Sequence, residues 1–234
     1  MPLKTYIKNL FYTFFKKDSH YYSYGDNNEL DHRNYIGDKW DEIGKLQFDF
    51  LINEGLKPHH KLIDIGCGSL RGGIHFIKYL DRFNYFGTDL NYDLIKLGIE
   101  NELNDDLKNK INNDNFIVSE NFNFNFEVDY FDYAIALSVF THLRKNNILK
   151  CLENLNKKID KGVFYSTFFI VENDYKDKPY NQSNDITSYP HKDPYHYTIN
   201  EIEKIAIKAN FECYEVKNFT HPRNQKMIKF KKKG

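Results

Sequence analysis

Cysteine is scarce in this 234-residue chain, and the three present, Cys67, Cys151 and Cys213, stand far apart with no C-x-x-C spacing. That excludes a zinc knuckle or a dithiol redox centre and fits thiols kept reduced in a cytoplasm. An excess of either charge is also missing, since 33 Lys and Arg balance 33 Asp and Glu. Without a general basic surface the chain lacks the signature of a nucleic-acid-binding protein, and a small-molecule partner is expected instead. No apolar run approaches the roughly 18 residues of a membrane span, and the start has no signal-peptide cleavage site. His and acidic residues form no compact cluster with metal-ligand spacing, so no metal-binding residues are assigned and metal dependence is left open.

What is present begins with an amphipathic start. Leu3, Tyr6, Ile7, Leu10, Phe11, Phe14 and Phe15 follow helical spacing over residues 3–15, while Lys4, Lys8, Lys16 and Lys17 add only positive charge. Two readings stand side by side: a peripheral helix on the inner face of a membrane, or a stripe packed on the domain or on a second copy of the chain. Residues 18–37 are polar and aromatic without periodicity and read as a linker, so that 1–37 precede a domain spanning 38–234. A chain of this length can bury roughly 70% of its unfolded surface as one domain.

Along that domain, strand-like and helix-like segments alternate. A helix is expected near 38–54, started by Asp38 or Asp41, with Ile43, Leu46, Phe50 and Leu51 inward and Gly55 at its end. A strand at 61–65, a helix at 72–81 and a strand ending at Asp89 follow, then a helix capped by Asn91. Phe116–Val118 is a short strand, 131–137 a fourth, and Ile148, Leu152, Leu155 and Ile159 mark a long helix before a strand at 162–170. Residues 171–197 lack periodicity and read as a functional loop. Thr198 and Glu201 form a capping box, and strands at 211–218 and 225–230 close the chain as an antiparallel hairpin. The pattern implies an α/β fold with a doubly wound, mostly parallel sheet, in which ligands bind at the carboxyl ends of the strands.

The first strand runs into Asp64-Ile65-Gly66-Cys67-Gly68-Ser69-Leu70-Arg71, and a second strand ends in Gly87-Thr88-Asp89. Glycines at 66 and 68 let the main chain approach a nucleotide-like ligand, and an acid at the end of the second strand suits ribose hydroxyls. A dinucleotide turn would want a third glycine where Arg71 stands, and Asp64 would repel a pyrophosphate yet attract an amino group. The pair Asp64 and Asp89 around this turn resembles motifs I and II of class I S-adenosylmethionine-dependent methyltransferases. Family-like pieces recur from about Arg33 to Phe230, including Trp40-Asp41-Glu42-Ile43-Gly44, Phe131-Asp132-Tyr133, Asp193-Pro194-Tyr195-His196-Tyr197 and His221-Pro222-Arg223-Asn224-Gln225. The looser family pattern has glycine where this chain has Leu70. More narrowly, the chain is similar to small bacterial methyltransferases of capsule and O-antigen gene clusters.

The resemblance implies seven strands in the order 3-2-1-4-5-7-6, S-adenosylmethionine as cofactor with S-adenosylhomocysteine as product, and cofactor contacts from Asp64, Gly66, Cys67, Gly68, Ser69, Arg71, Asp89, Leu90, Asn121 and Ser138. Arg33 and Trp40 are candidates to cover the cofactor, or Trp40 simply packs. Because an alkyl hydroxyl needs a base near pH 7, histidines at the ligand edge are the catalytic candidates: His142 first, then His196 and His221. The alternative for Thr141 and His142 is that one of them caps the following helix. Tyr195, Tyr197, Arg223 and Gln225 would bind the acceptor, with Arg223 suited to phosphate, or this loop is merely pinned by Asp193, His196 and Tyr197. His59 and His60 lie on the opposite edge and receive no role. The expected activity is O-methylation of a sugar, a sugar nucleotide or a related surface-polysaccharide precursor. The alternatives are an N- or phosphoryl-O-methyltransferase, an NAD-dependent oxidoreductase, and a non-enzymatic membrane-associated scaffold.

Overall fold

Leu62–Ile65 (β1) is buried at every position, because it lies mid-sheet with both faces covered. In the computed structural model, which describes residues 32–37, 39–183 and 185–234, β1 pairs in parallel with Tyr85–Asp89 (β2) and Tyr133–Ala136 (β4). Phe116–Val118 (β3) lies parallel to β2, and Val163–Ile170 (β5) parallel to β4. Lys226–Lys232 (β10) then inserts antiparallel between β5 and Phe211–Glu215 (β9), giving the order β3-β2-β1-β4-β5-β10-β9. This is the doubly wound arrangement expected, with β10 in the sixth place and β9 in the seventh. The amphipathic segment over 3–15, most of the expected linker and Asp38 lie outside the described residues.

Side-chain alternation divides the core into two layers. Ile63 and Ile65 of β1, Ala134 and Ala136 of β4 and Phe164 and Phe168 of β5 pack on one face, toward Lys145–Asn156 (α6) and Ile199–Lys208 (α7). Leu62, Ile135 and Tyr165 pack on the other, with Ile43, Phe50 and Leu51 of Trp40–Asn53 (α2) and Phe76 and Ile77 of Gly73–Tyr79 (α3). Tyr92–Glu102 (α4) adds Ile95 to that face.

Helix ends follow the local chemistry with one exception. The Asn91 side chain accepts from the Asp93 N–H to cap α4, and Thr198 and Glu201 form the reciprocal box that opens α7. Gly55, at φ 99°, ends α2 while the Leu56 N–H reaches back to the Leu51 carbonyl. The start of α2 differs from expectation: Lys39 precedes it at φ 67° with no side-chain cap bond. Asp41 instead falls inside the first turn, where its charge faces the positive end of the helix dipole.

Five further elements were not legible. His32–Tyr35 (α1) is helical within the expected linker, and Asp105–Lys108 (α5) follows α4. The aperiodic stretch 171–197 contains Tyr180–Ser183 (β6) paired with Ile186–Ser188 (β7), and His196–Tyr197 (β8), which extends the sheet beside β5. These strands are two to four residues long. Their sequences, Tyr-Asn-Gln-Ser, Ile-Thr-Ser and His-Tyr, hold no apolar run of the kind that marks β3.

Candidate active site

The turn after β1 is made of backbone angles that few side chains accept. Gly66 and Gly68 take φ of 74° and 52°, and a Cβ on Gly66 would stand 2.4 Å from Val139 Cγ2. Leu70, where the looser family pattern has glycine, nonetheless takes φ 67°. The glycine-like backbone is thus kept by a leucine at a cost of about 1–2 kcal/mol, which is offset by complete burial of its side chain beside α3. The Gly66 and Cys67 N–H groups donate to the Thr88 carbonyl at 2.7 and 3.1 Å. One ångström-scale seam therefore joins the ends of β1 and β2.

Asp89 completes that seam. Its Oδ2 accepts from the Gly68 N–H at 2.8 Å and its Oδ1 from the Asn91 N–H at 2.9 Å. Burial raises its pKa against these backbone donors. Asp64 lies deeper and accepts from the Tyr85 hydroxyl at 2.9 Å. Burial, reinforced by the nearby Asp89 charge and opposed by Tyr85 and Arg71, pushes Asp64 up to about 7. A buried carboxylate with so little compensation, facing a cleft, is a place for a cationic group.

The cleft is walled by Asp64, the glycine turn, Asp89, Leu90, Ser138 and His142. Its N-terminal side is closed by Tyr35 and Ile36. Arg71 Nη1 donates to the Ile36 carbonyl at 3.3 Å, and Arg223 lies so close over Gly37 that a Cβ there would meet Nη2 at 2.6 Å. At the end of β4, Ser138 takes φ 58°, with its N–H on Thr167 Oγ1 at 2.7 Å and its hydroxyl on Gln225 Oε1 at 3.0 Å. A single 3₁₀ turn, Phe140–His142, then places His142 on the wall with Nδ1 2.5 Å from Asp193 Oδ1.

Residues 63–164 match the family model described as a methyltransferase domain. The fold is similar to a magnesium protoporphyrin IX methyltransferase from Synechocystis solved with S-adenosylmethionine bound, at 14% identity over 99% of this chain and 98% of that one, TM-score 0.57. It is also similar to an S-adenosylmethionine-dependent methyltransferase from Clostridium acetobutylicum, at 12% identity over the whole of both chains, TM-score 0.57. A Nostoc punctiforme protein described as an O-methyltransferase matches at 19% identity over 82% of this chain and 60% of that one, TM-score 0.55. The chain has the class I methyltransferase fold.

The fold gathers many of the sequence-selected residues on its cleft and turns others away. Asp64, Gly66, Cys67, Gly68, Arg71, Asp89, Leu90, Ser138, His142 and Arg223 line it. Cys67 contributes wall rather than open main chain, since its carbonyl also accepts from the Leu70 N–H. Ser69 is buried behind the turn with its hydroxyl 3.4 Å from the His32 carbonyl, where it anchors α1. Asn121 faces α6, accepting from Lys150 at 2.5 Å, and Ser119 and Phe122 take the wall position expected for it. The register error arises because β3 is only three residues long.

The remaining acceptor and base candidates fall outside the wall. His196 is buried on β8 with Nδ1 2.9 Å from Ser188 Oγ, and burial lowers its pKa. His221 is buried too, and burial together with the Arg223, Arg71 and Lys39 charges lowers it to about 3, far too weak a base for an alcohol. Tyr195 and Tyr197 are core residues whose hydroxyls meet Arg144 Nε at 3.0 Å and the Leu143 carbonyl. Gln225 is buried behind Ser138 rather than open to an acceptor. Arg33 holds Glu102 through two bonds of 2.7 and 2.6 Å and lies 4.9 Å above the Trp40 ring, so neither of this pair lines the cleft. Neither Thr141 nor His142 caps α6, whose N-cap is Arg144 with no side-chain bond. Sequence reasoning missed Tyr35, Ile36, Ser119 and Phe122, and it offered Asp193 only as a residue that pins the loop, without its contact to His142.

Proposed function

We propose that the protein is an S-adenosylmethionine-dependent O-methyltransferase acting on a sugar, a sugar nucleotide or a related surface-polysaccharide precursor. The observation that carries the reading is the convergence of Asp64, the Gly66–Gly68 turn, Asp89 and His142 on one cleft at the carboxyl edge of the sheet. Asp89 suits the cofactor's ribose, and Asp64, raised to about 7, suits its amino group. Asp64 would repel the pyrophosphate of a nicotinamide dinucleotide. Bound there, S-adenosylmethionine supplies an electrophilic methyl group.

The chain's own contribution is positioning and proton removal. Holding an acceptor in line with the donor is worth roughly 7–11 kcal/mol. His142 stands at the end of β4 on the cleft wall and takes the proton from the acceptor hydroxyl, so that the oxygen attacks with its electron pair available. Arg223, on the same wall, suits a phosphate carried by the acceptor. The test is a methyl-transfer assay against sugar nucleotides, sugar phosphates and free sugars, read by mass. A gain of one methyl on a hydroxyl supports the reading, and transfer only to amines or to porphyrin-like acids overturns it.

A further inference from the structure

We infer that Asp193 is a positioning residue for His142, so that the insertion after β5 supplies half of the base. This rests on the proposed role of His142 and extends it to a residue from a different element. The Asp193 carboxylate stands 2.5 Å from Nδ1, and its side chain is only 12% exposed. It comes from the segment between β7 and β8, whereas His142 follows β4, 51 residues earlier in the chain.

The two segments are fastened together around this contact. The Tyr195 N–H donates to the Thr141 carbonyl at 2.6 Å, on one side of His142. On the other side the Tyr197 hydroxyl donates to the Leu143 carbonyl, and Arg144 Nε donates to the Tyr195 hydroxyl at 3.0 Å. The Tyr189 N–H donates to the Pro194 carbonyl at 2.8 Å and ties the segment back on itself. These contacts hold the two turns against each other.

The chemistry follows from the imidazole's two nitrogens. A carboxylate at Nδ1 selects the tautomer with its proton there, which puts the basic lone pair on Nε2. It also stabilises the imidazolium formed when Nε2 takes the acceptor's proton. No atom is left over: the proton moves from hydroxyl to Nε2 and the Nδ1 proton stays between ring and Asp193.

The test joins nitrogen-15 spectra of the His142 ring with kinetics, using Asp193→Ala and the isosteric Asp193→Asn. The wild-type neutral ring should be protonated at Nδ1, and Asp193→Ala should shift it toward the Nε2-protonated tautomer. Turnover should fall roughly 10²-fold in Asp193→Ala, with KM for the acceptor and cofactor affinity changed less than about threefold. Asp193→Asn, which keeps an acceptor oxygen without the charge, should recover part of that loss. An unchanged tautomer in both variants overturns the inference, as does a loss confined to KM or to folding. The spectra need no acceptor, so they judge the pairing even where the acceptor is misassigned. Wild-type turnover in His142→Ala, by contrast, would remove the base reading itself.

Discussion

At Asp64 the sequence motif, the packing and the electrostatics make one quantitative claim. Its carboxyl titrates at about 7 in the folded chain, against about 4 when unfolded. Between those values the folded state keeps a proton that the unfolded state has lost, so stability of the ligand-free protein falls as pH rises through that window. Asp64→Asn should therefore stabilise the ligand-free protein at pH 8 by on the order of 2–4 kcal/mol, read as a higher melting temperature, with the gain vanishing near pH 4. Asp89 is raised as well and leaves a residual slope of the same sign. Cofactor affinity should move oppositely, weakening up to tenfold per unit as pH drops below about 7, because the cationic amino group needs the ionised acid. Calorimetry from pH 5.5 to 8 checks this, and a flat profile would separate Asp64 from the amino group. Asp89→Ala should cost about 2 kcal/mol or more of cofactor binding through lost charge-assisted bonds, with unchanged affinity counting against its ribose role. Residues of this kind were legible because strand, glycine and acid are adjacent in sequence. Asp193 and Tyr35 were not, because their place on the site is made by packing between distant segments.

At the scale of elements, the long strands and helices could be read because burial on both sheet faces leaves apolar runs and 3.6-residue stripes. The hairpin β6–β7, the strand β8 and helix α1 could not, since their short segments are mostly polar and hold no apolar run or stripe. The junction of β8 and α7 shows how local signals still matter. The Thr198 N–H donates to Glu201 Oε2 at 2.9 Å, and Lys145 Nζ at the start of α6 holds Glu201 Oε1 at 2.6 Å. One cap thereby joins the insertion to two helices. Thr198→Ala should cost about 1 kcal/mol, seen as a drop of roughly 2–4 °C in melting temperature. No change would mean that the capping box adds nothing beyond the packing of Ile202 and Ala206.

For the whole molecule, the amphipathic start is the one strong sequence feature that the described fold does not absorb. Seven apolar residues between Leu3 and Phe15 keep helical spacing beside Lys4, Lys8, Lys16 and Lys17, a stripe suited to a lipid surface or to another copy of the chain. The described chain begins at His32, and the N-terminal residues that close the cleft are Tyr35 and Ile36. Helix α1 meets the described fold through Arg33 on Glu102 and through the Ser69 contact to the His32 carbonyl. Deleting residues 3–15 should therefore leave cofactor affinity within about twofold. It should also change one of two bulk properties, co-sedimentation with anionic vesicles or the oligomeric mass in solution. Loss of vesicle binding at constant mass assigns the stripe to lipid, and a smaller mass without vesicle binding assigns it to a second copy. If cofactor affinity collapses while both properties hold, the stripe packs on its own domain and supports the cleft from outside.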